Sequence, residues 1–224
     1  MSFLHVCIAL TLALDSALVA VLGWAFHSPR FATRRMKDGP GMQVAGSHRM
    51  QTGVMIGTLS LAIVLTGVWL GSGTIIVADA RSIARIVVDA LVIVVLYDFI
   101  YYAAHRAMHT PLLLKRVHGI HHRARNPSTL ESFYQHPLEL MIGLGILFLT
   151  TAIVGPVHEA TFAIVFFVYS TVNIFVHSGL IFGSALSAPV DFLTRKHFVH
   201  HHDDSMANFS TMTGLPDRIF GTAK

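Results

Sequence analysis

The sequence predicts an all-α integral membrane protein, a helical bundle of about four to five transmembrane helices that carries a cytosolic, histidine-rich helical cap. Hydrophobic residues make up 53% of the chain and charged residues only 12%, and the mean hydropathy is +0.60. These values lie far from the averages of soluble domains. Long apolar segments alternate with short boxes that hold most of the 15 histidines. The composition therefore excludes a soluble globular enzyme.

The first part of the chain predicts two membrane crossings joined by a basic loop. Residues 3–26 are long enough to span a bilayer, and without a basic segment or small-residue cleavage site ahead of them they predict a retained helix, not a signal peptide. Residues 27–50 hold five basic residues and the turn signal Gly39-Pro40-Gly41, which predicts a membrane-surface loop. Residues 52–70 are uncharged and give the clearest spanning segment.

Three further apolar segments follow. Residues 83–104 predict a spanning helix in which Asp89 and Asp98 face the bundle interior and a partner, because a carboxylate facing lipid is costly. At roughly 1.5 Å per residue, residues 140–154 fall short of a hydrocarbon core of ~30 Å. Residues 160–182 are longer but contain Asn173 and His177. The last two segments fit either a full hairpin or a shallow one.

Basic residues set the orientation, since they mark the cytoplasmic side of short loops. Fourteen of the 16 Lys and Arg residues lie on one side, and only Arg81 and Arg85 lie on the other. This bias predicts cytoplasmic histidine boxes and an external N-terminus, and compact loops without a sorting motif predict a bacterial inner membrane. The net charge of +4 is spread along membrane flanks, which indicates anionic lipid headgroups and not nucleic acid as the partner.

Three short histidine-rich segments, the histidine boxes, hold most of the candidate metal ligands. They are residues 105–109, 118–122 and 197–201. Within the first, His105 and His109 lie four residues apart, so on a helix they share one face and can bind one ion together. Thr110-Pro111 then favours a new helical start. The boxes together with two single histidines supply ten candidate ligands: His105, His109, His118, His121, His122, His136, His177, His197, His200 and His201.

Imidazole suits iron, copper, zinc and nickel, and this number of histidines is enough for two metals with open positions, whereas one zinc needs only four. The single cysteine, Cys7, excludes a cysteine-based metal site. Asp98 lies about two helical turns before His105 on the same stripe, so we expect it to accept the free N–H of a ligand histidine. Glu131 and Glu139 are alternatives for that role.

The motifs HRAMH, HGIHH, QHPLE, NIFVHSG, HFVHH, NFS and DRIFGT occur in that order. Together they resemble the fatty acid hydroxylase superfamily, which includes sterol desaturases, sterol methyl oxidases and sphingolipid hydroxylases. The resemblance covers about residues 83–222. It divides the chain into residues 1–82, the N-terminal membrane helices and basic loop, and residues 83–224, the hydroxylase-like membrane domain.

The resemblance implies a four-helix membrane core with a cytosolic cap and a non-haem centre of two iron ions bound by histidines. Some acyl-chain hydroxylases of this superfamily have a second histidine four residues before the equivalent of His177. Here that position is Asn173. We expect Asn173 to hold a metal-bound water or to hydrogen-bond a ligand histidine.

The function implied is hydroxylation of a lipid C–H bond with dioxygen, the acyl or polycyclic tail entering sideways from the bilayer. Electrons must come from a separate ferredoxin, cytochrome or reductase, because the sequence has no haem, flavin or dinucleotide-binding segment. A desaturase with the same centre is an alternative. A metal transporter or zinc-binding membrane protein is another, although transporters tend to place their sites near the bilayer midplane between repeated halves.

Overall fold

The computed structural model describes residues 2–36, 46–125 and 128–224, and the turn predicted at Gly39-Pro40-Gly41 lies outside them. The described chain is an all-α membrane bundle, as predicted. Its helices are α1 (Phe3–His27), α2 (Gly46–Gly71), α3 (Ile83–Met108), α4 (Pro111–Arg116), α5 (Pro137–Val154), α6 (Glu159–Val176), α7 (Ala188–His202) and α8 (Leu215–Ile219). Short 3-10 helices cover Pro29–Arg34, His118–Arg123 and Thr129–Glu131.

Four of the described helices are long and apolar enough to cross a membrane: Phe3–His27, His48–Gly71, Pro137–Val154 and Glu159–Val176. The segment predicted at 140–154 gains a turn because its helix begins at Pro137, a favoured first position. Its 18 residues span roughly 27 Å, which favours a full hairpin of α5 and α6. The crossing predicted at 83–104 falls within α3, which has 26 residues, and stays a prediction.

Two helix boundaries differ from those predicted. α6 ends at Val176 and not at residue 182 because the chain turns at Gly179, whose φ of 65° is disfavoured for residues with a side chain. α2 begins at Gly46, before the predicted start at residue 52. The new helical start after Thr110 is confirmed by α4, which begins at Pro111.

The bundle is centred on α3, which packs on both α5 and α6. α1 packs on α6 and α2 packs on α5, so the first two helices belong to the same bundle as the rest. The core holds buried residues such as Ile93, Leu147 and Phe162. Large apolar side chains such as Leu14 and Trp69 are exposed, as expected of a surface that faces lipid.

The two ends of the bundle differ. At one end two short strands, β1 (Ile76–Val77) and β2 (Val157–His158), pair in parallel with Ile76 opposite Val157. Near this end the buried Asp89 forms an ion pair of 2.8 Å with Arg85, four residues earlier on α3. At the other end α4, α7, α8 and the loops between them form a cap over the bundle. We call this the histidine end.

Candidate metal centre

Nine of the ten histidines predicted as ligands come together at the histidine end. They come from four elements: the end of α3 (His105 and His109), the 3-10 helix His118–Arg123 (His118, His121 and His122), the end of α6 (His177) and α7 (His197, His200 and His201). All are buried except His122, which is half-buried. Helix ends thus deliver the ligands from segments far apart in sequence.

The nine histidines form two groups. The five-histidine group consists of His105, His109, His118, His122 and His200, and the four-histidine group consists of His121, His177, His197 and His201. Within each group one nitrogen per ring lies within 4.8 Å of all the others. The second and third boxes each contribute to both groups. The groups adjoin, since the rings of His122 and His201 stack with centroids 4.5 Å apart.

Backbone carbonyls fix the protonation of several rings. Nδ1 lies 2.6–2.7 Å from a carbonyl oxygen in three pairs: His105 with Phe209, His177 with Asn173, and His200 with Ala207. Nδ1 of His121 lies 3.4 Å from the carbonyl oxygen of Tyr134. Because a carbonyl only accepts hydrogen bonds, Nδ1 carries the proton in each ring and Nε2 keeps its lone pair.

These lone pairs face one another at short distance. Nε2 of His177 lies 3.1 Å from Nε2 of His121, and in both of these rings the proton is on Nδ1. Two lone pairs at this distance repel, because neither nitrogen has a proton to donate. A cation bound between the rings turns this repulsion into attraction, so the arrangement fits a metal.

The spacing of the nitrogens also indicates the kind of coordination. With metal–nitrogen bonds of about 2.1 Å, two ligand nitrogens lie roughly 3.0 Å apart at right angles and roughly 3.4 Å apart in a tetrahedron. The closest Nε2 pairs in the two groups lie 2.9–3.1 Å apart. Five histidines in one group also exceed the four ligands of a closed zinc site. The geometry therefore favours ions with more than four coordination positions.

Burial keeps the histidines in the ligand form. It lowers the pKa of His109, His118 and His121 to about 3 and that of His177 to about 4. All four are therefore neutral at pH 7, and a neutral imidazole can bind a metal. Among the described residues, neither ring nitrogen of His109 or His201 has a hydrogen-bond partner although both rings are buried. Buried polar atoms normally have partners, and a metal would supply one.

Glu139 is the carboxylate beside the five-histidine group. Its Oε1 lies 3.0 Å from Nδ1 of His118, and both side chains are buried. The contact is close but not aligned as a hydrogen bond. This carboxyl oxygen, as an acceptor, favours the proton on Nδ1 of His118 and leaves Nε2 free for a metal. Glu131 lies elsewhere, accepting from the backbone N–H of Ser128 at 2.9 Å and from Arg49 at 2.6 Å.

Asp98 has a different partner from the predicted one, and the expected hydrogen bond to a histidine is wrong. Its fully buried carboxylate accepts from the backbone N–H groups of residues 211–213 at 2.8–2.9 Å and from the Thr213 hydroxyl at 2.6 Å. The reason is distance along the helix. Seven residues separate Asp98 from His105, a rise of roughly 10 Å, which the short aspartate side chain cannot bridge.

Asp98 nevertheless supports the site through the loop that it binds. This loop, residues 207–213, supplies the carbonyls of Ala207 and Phe209 that orient two histidines. Asp217 binds the same loop, accepting from the backbone N–H of Phe209 at 2.7 Å and pairing with Lys196 at 2.8 Å. The loop turns at Asn208, which has a φ of 57°. The NFS motif, which contains Phe209, and the DRIFGT motif, which contains Asp217, are visible in the sequence, but neither indicates that backbone carbonyls of this loop orient histidines.

The other predicted site residues lie around the two groups. The Asn173 side chain donates to the carbonyl of Tyr169 at 2.7 Å, and it is the Asn173 backbone that contacts His177. His136 belongs to neither group among the described residues; it precedes α5 and its Nδ1 accepts from the N–H of Leu138 at 3.1 Å. That bond satisfies a free N–H at the helix start.

A cavity of about 550 Å³ connects the histidines with the interior of the bundle. Its histidine end is lined by members of both groups, including His105, His121 and His177. It then continues between α1, α2, α3, α5 and α6 along apolar residues such as Val64 and Phe166. The site can therefore hold a long, mostly apolar molecule with one atom beside the metal ligands.

The family model described as fatty acid hydroxylase matches residues 90–222, which is more than half of the chain. The chain belongs to the fatty acid hydroxylase family. The match confirms the resemblance seen in the sequence motifs. It contains all nine grouped histidines as well as Asp98 and Asp217.

Curated relatives of this fatty acid hydroxylase family member include enzymes of plants. The chain is similar to a very-long-chain aldehyde decarbonylase of Oryza sativa, at 34% identity over 62% of this chain and 53% of the relative. It is similar to methylsterol monooxygenase 2-2 of Arabidopsis thaliana, at 32% identity over 58% of this chain and 50% of the relative. Methylsterol monooxygenase 1-3 of the same plant is 30% identical over 64% of this chain and 50% of its own length.

The chain thus spans about half the length of the curated relatives that it matches. No solved structure matches it significantly.

Proposed function

We propose that the chain is a membrane-bound non-haem di-iron oxygenase that hydroxylates a C–H bond of a lipid, with dioxygen and with electrons from a separate donor protein. The observation that carries this proposal is the position of the two histidine groups at one end of the 550 Å³ cavity. The family membership supports an oxidative reaction on a lipid, and the relatives named as monooxygenases support oxygen insertion.

One iron ion would bind to each histidine group. The proposed ligands are the nine grouped histidines, and His136 is not among them because it caps α5. Nitrogens near right angles and five rings in one group fit iron better than tetrahedral zinc. Iron bound there would supply the oxidising power that breaks an unactivated C–H bond.

The residues of the chain would orient the metal ligands and provide a proton-transfer group in the cavity. The carbonyls of Phe209 and Asn173 hold ligand rings in one orientation, so that each Nε2 points to the metal position. Glu139 lines the cavity and its Oε2 has no hydrogen-bond partner among the described residues. From Oε2 the carboxyl group can accept or return a proton beside the reacting carbon.

The bundle would admit the lipid from the side. α1 and α2 pack on different neighbours, α6 and α5, and both line the cavity through small residues such as Ser16 and Gly57. A tail could pass between these two helices while the reacting carbon moves toward the histidines. The basic residues on the histidine side support a cytoplasmic orientation of this end, where a soluble ferredoxin, a cytochrome or a reductase could deliver electrons.

The test follows labelled oxygen into lipid. Host cells that express the wild-type chain, with a competent electron donor, are grown under labelled dioxygen, and their lipid extract is compared by high-resolution mass spectrometry with that of His121→Ala cells. His136→Ala is the matched control, a histidine outside both groups. We expect a lipid that gains one labelled oxygen in wild-type and His136→Ala cells and is absent from His121→Ala cells.

Each other result points to a different function. Loss of two hydrogens without label would identify a desaturase, and a shortened chain made from an aldehyde would match the reaction named for the rice relatives. If the three strains have identical lipids, the oxygenase proposal is wrong, and binding and transport of metal becomes the function to test.

A further inference from the structure

Asp15 is a buried carboxyl group in the middle of a membrane helix. It lies twelve residues from either end of α1 (Phe3–His27), and its side chain is only 8% exposed. A carboxyl group at the centre of a bilayer is costly unless it has a partner, and such residues mark functional positions by default. The residue lies outside the stretch matched by the family model, residues 90–222.

The protein gives Asp15 only weak partners. Its Oδ1 accepts from the hydroxyl of Thr171 at 3.2 Å, and Ser170 on the same helix also contacts the carboxyl group. Within residues 2–36, 46–125 and 128–224, no lysine or arginine forms a salt bridge with it. Neutral hydroxyl partners leave further hydrogen-bonding capacity on the two carboxyl oxygens.

Asp15 is not needed to attach α1. Below Asp15, toward the histidine end, α1 packs on α6 through the buried residues Leu22, Phe26 and Ile174. Apolar contacts of this kind hold two membrane helices together without a carboxyl group. A buried polar group in the same interface adds a desolvation cost, which a purely structural role does not explain.

Asp15 instead faces the cavity. Asp15, Ser16 and Ser170 all line it, and they form a polar patch between the apolar walls. Ser170 precedes His177 by seven residues on α6, a rise of roughly 10 Å. A molecule that extends from the histidines toward the bilayer midplane therefore passes this patch roughly 10 Å from the metal ligands.

We infer that Asp15 is a substrate-selecting residue, and that the lipid it selects is elongated and carries a hydroxyl group roughly 10 Å from the carbon held at the histidines. The hydroxyl of the lipid hydrogen-bonds the carboxyl group beside Ser170 and Thr171. An unsubstituted chain leaves this buried group without its partner and binds less tightly. The inference depends on the proposed function only for the reaction at the lipid carbon that is held beside the histidines.

The test measures binding and needs neither iron nor dioxygen. Purified protein as isolated, held in detergent without dioxygen, is titrated with octadecanoic acid and with a series of octadecanoic acids that each carry one hydroxyl, moved stepwise along the chain. The dissociation constant of each is measured by competition against a fluorescent fatty acid. We expect the wild type to prefer one hydroxyl position over the unsubstituted acid about five- to tenfold, the effect of one added hydrogen bond.

Two variants separate selection from structure. Asp15→Ala removes the carboxyl group and is expected to bind all members of the series equally. Thr171→Val removes the hydrogen bond between α1 and α6 but keeps the carboxyl group, so it should retain the preference. Equal binding of the whole series by the wild type would overturn the inference, as would loss of the preference in both variants.

The outcome is independent of the oxygen-labelling experiment. A hydroxyl preference in a protein that oxidises no lipid would contradict the proposed function alone. Oxidation of lipids by a protein without the preference would contradict the role of Asp15 alone.

Discussion

The five-histidine group and the four-histidine group are held in different ways. His105 and His200 in the first group depend on carbonyls of the loop 207–213, which Asp98 and Asp217 hold in place from more distant elements. His177 in the second group hydrogen-bonds a carbonyl of its own helix, four residues earlier. The first group is thus oriented through a loop that two aspartates hold, whereas His177 in the second group is oriented by the backbone of its own helix.

This difference indicates which side-chain substitutions should disturb the metal ligands. A carbonyl of the same helix cannot be removed by a side-chain substitution, whereas a loop held by two aspartates can be released by one. Single substitutions in the supporting residues should therefore weaken the five-histidine group and spare the other.

The largest loss of bound metal is expected at Gly119, which lies between the histidines of the second box. A Cβ atom at this position would collide with the backbone carbonyl oxygen of Leu114. Gly119→Ala must displace the 3-10 helix that supplies ligands to both groups. We expect it to lose nearly all bound metal and about 2–4 kcal/mol of stability, measured by elemental analysis and thermal unfolding in detergent.

Gly145→Ala is the matched control, because an added Cβ there meets nothing within 4 Å. It should keep the wild-type metal content and stability. Equal behaviour of the two glycine variants would show that the box tolerates displacement.

The next largest loss of bound metal is expected at Asp98. Asp98→Ala leaves three backbone N–H groups of residues 211–213 without their acceptor, at a cost of about 3–5 kcal/mol in the free energy of unfolding. Because the loop then no longer orients His105 and His200, metal should be lost from the five-histidine group and retained in the four-histidine group. Asp98→Asn, which keeps one acceptor, should lose less of both. Equal loss from the two groups would contradict the difference in support.

Asp98 also illustrates which features of the site could be predicted from the sequence and which could not. The helical spacing placed Asp98, His105 and His109 on one face of α3, and all three are buried there. It could not show that Asp98 binds a loop more than a hundred residues later, because side-chain reach and loop path are set by tertiary packing. The division of each histidine box between two groups is a tertiary feature of the same kind.

The fold was predictable because the apolar segments are long and the signals strong. Helix ends were less predictable: α6 ends at Val176 and the chain turns at Gly179, although apolar residues continue to residue 182. The choice of Glu139 over Glu131 as the carboxylate beside a histidine also needed the structure. Both follow a histidine box, and only the packing of α5 brings one of them to His118.

A smaller effect on metal affinity is expected at Glu139, and a substitution of Asn173 serves as the comparison. Glu139→Gln replaces the carboxyl group whose Oε1 lies 3.0 Å from Nδ1 of His118, and we expect the five-histidine group to bind its metal about 10–100-fold more weakly. Asn173→Ala leaves the backbone carbonyl that orients His177 in place, so metal affinity should change little. Competition with a chelator measures both. A similar loss in the two variants would contradict the role given to the Asn173 backbone.

The smallest effect concerns Asp191, which holds the start of α7 and so supports both groups equally. Burial alone would raise its pKa, but the hydrogen bonds from the N–H groups of Phe182 and Gly183 lower the pKa below 3.8. A carboxyl group with a lowered pKa adds stability that is present above the unfolded pKa and lost as the pH falls through the folded one.

The wild type should therefore be more stable than Asp191→Asn by about 1 kcal/mol at neutral pH. This advantage should shrink as the pH falls below about 4. Unfolding temperatures of the two proteins at a series of pH values measure it. A constant difference down to the lowest pH would mean that the carboxylate adds nothing.

The most direct measurement counts the iron bound by each group. Wild-type protein, His109→Ala and His197→Ala are reconstituted anaerobically with ferrous iron, freed of excess metal and analysed for iron per chain. Two separate sites predict about two ions in the wild type and about one in each variant, since each substitution removes a ligand from one group. One ion per chain in the wild type, or the loss of both ions in His197→Ala and in His109→Ala alike, would contradict two separate sites.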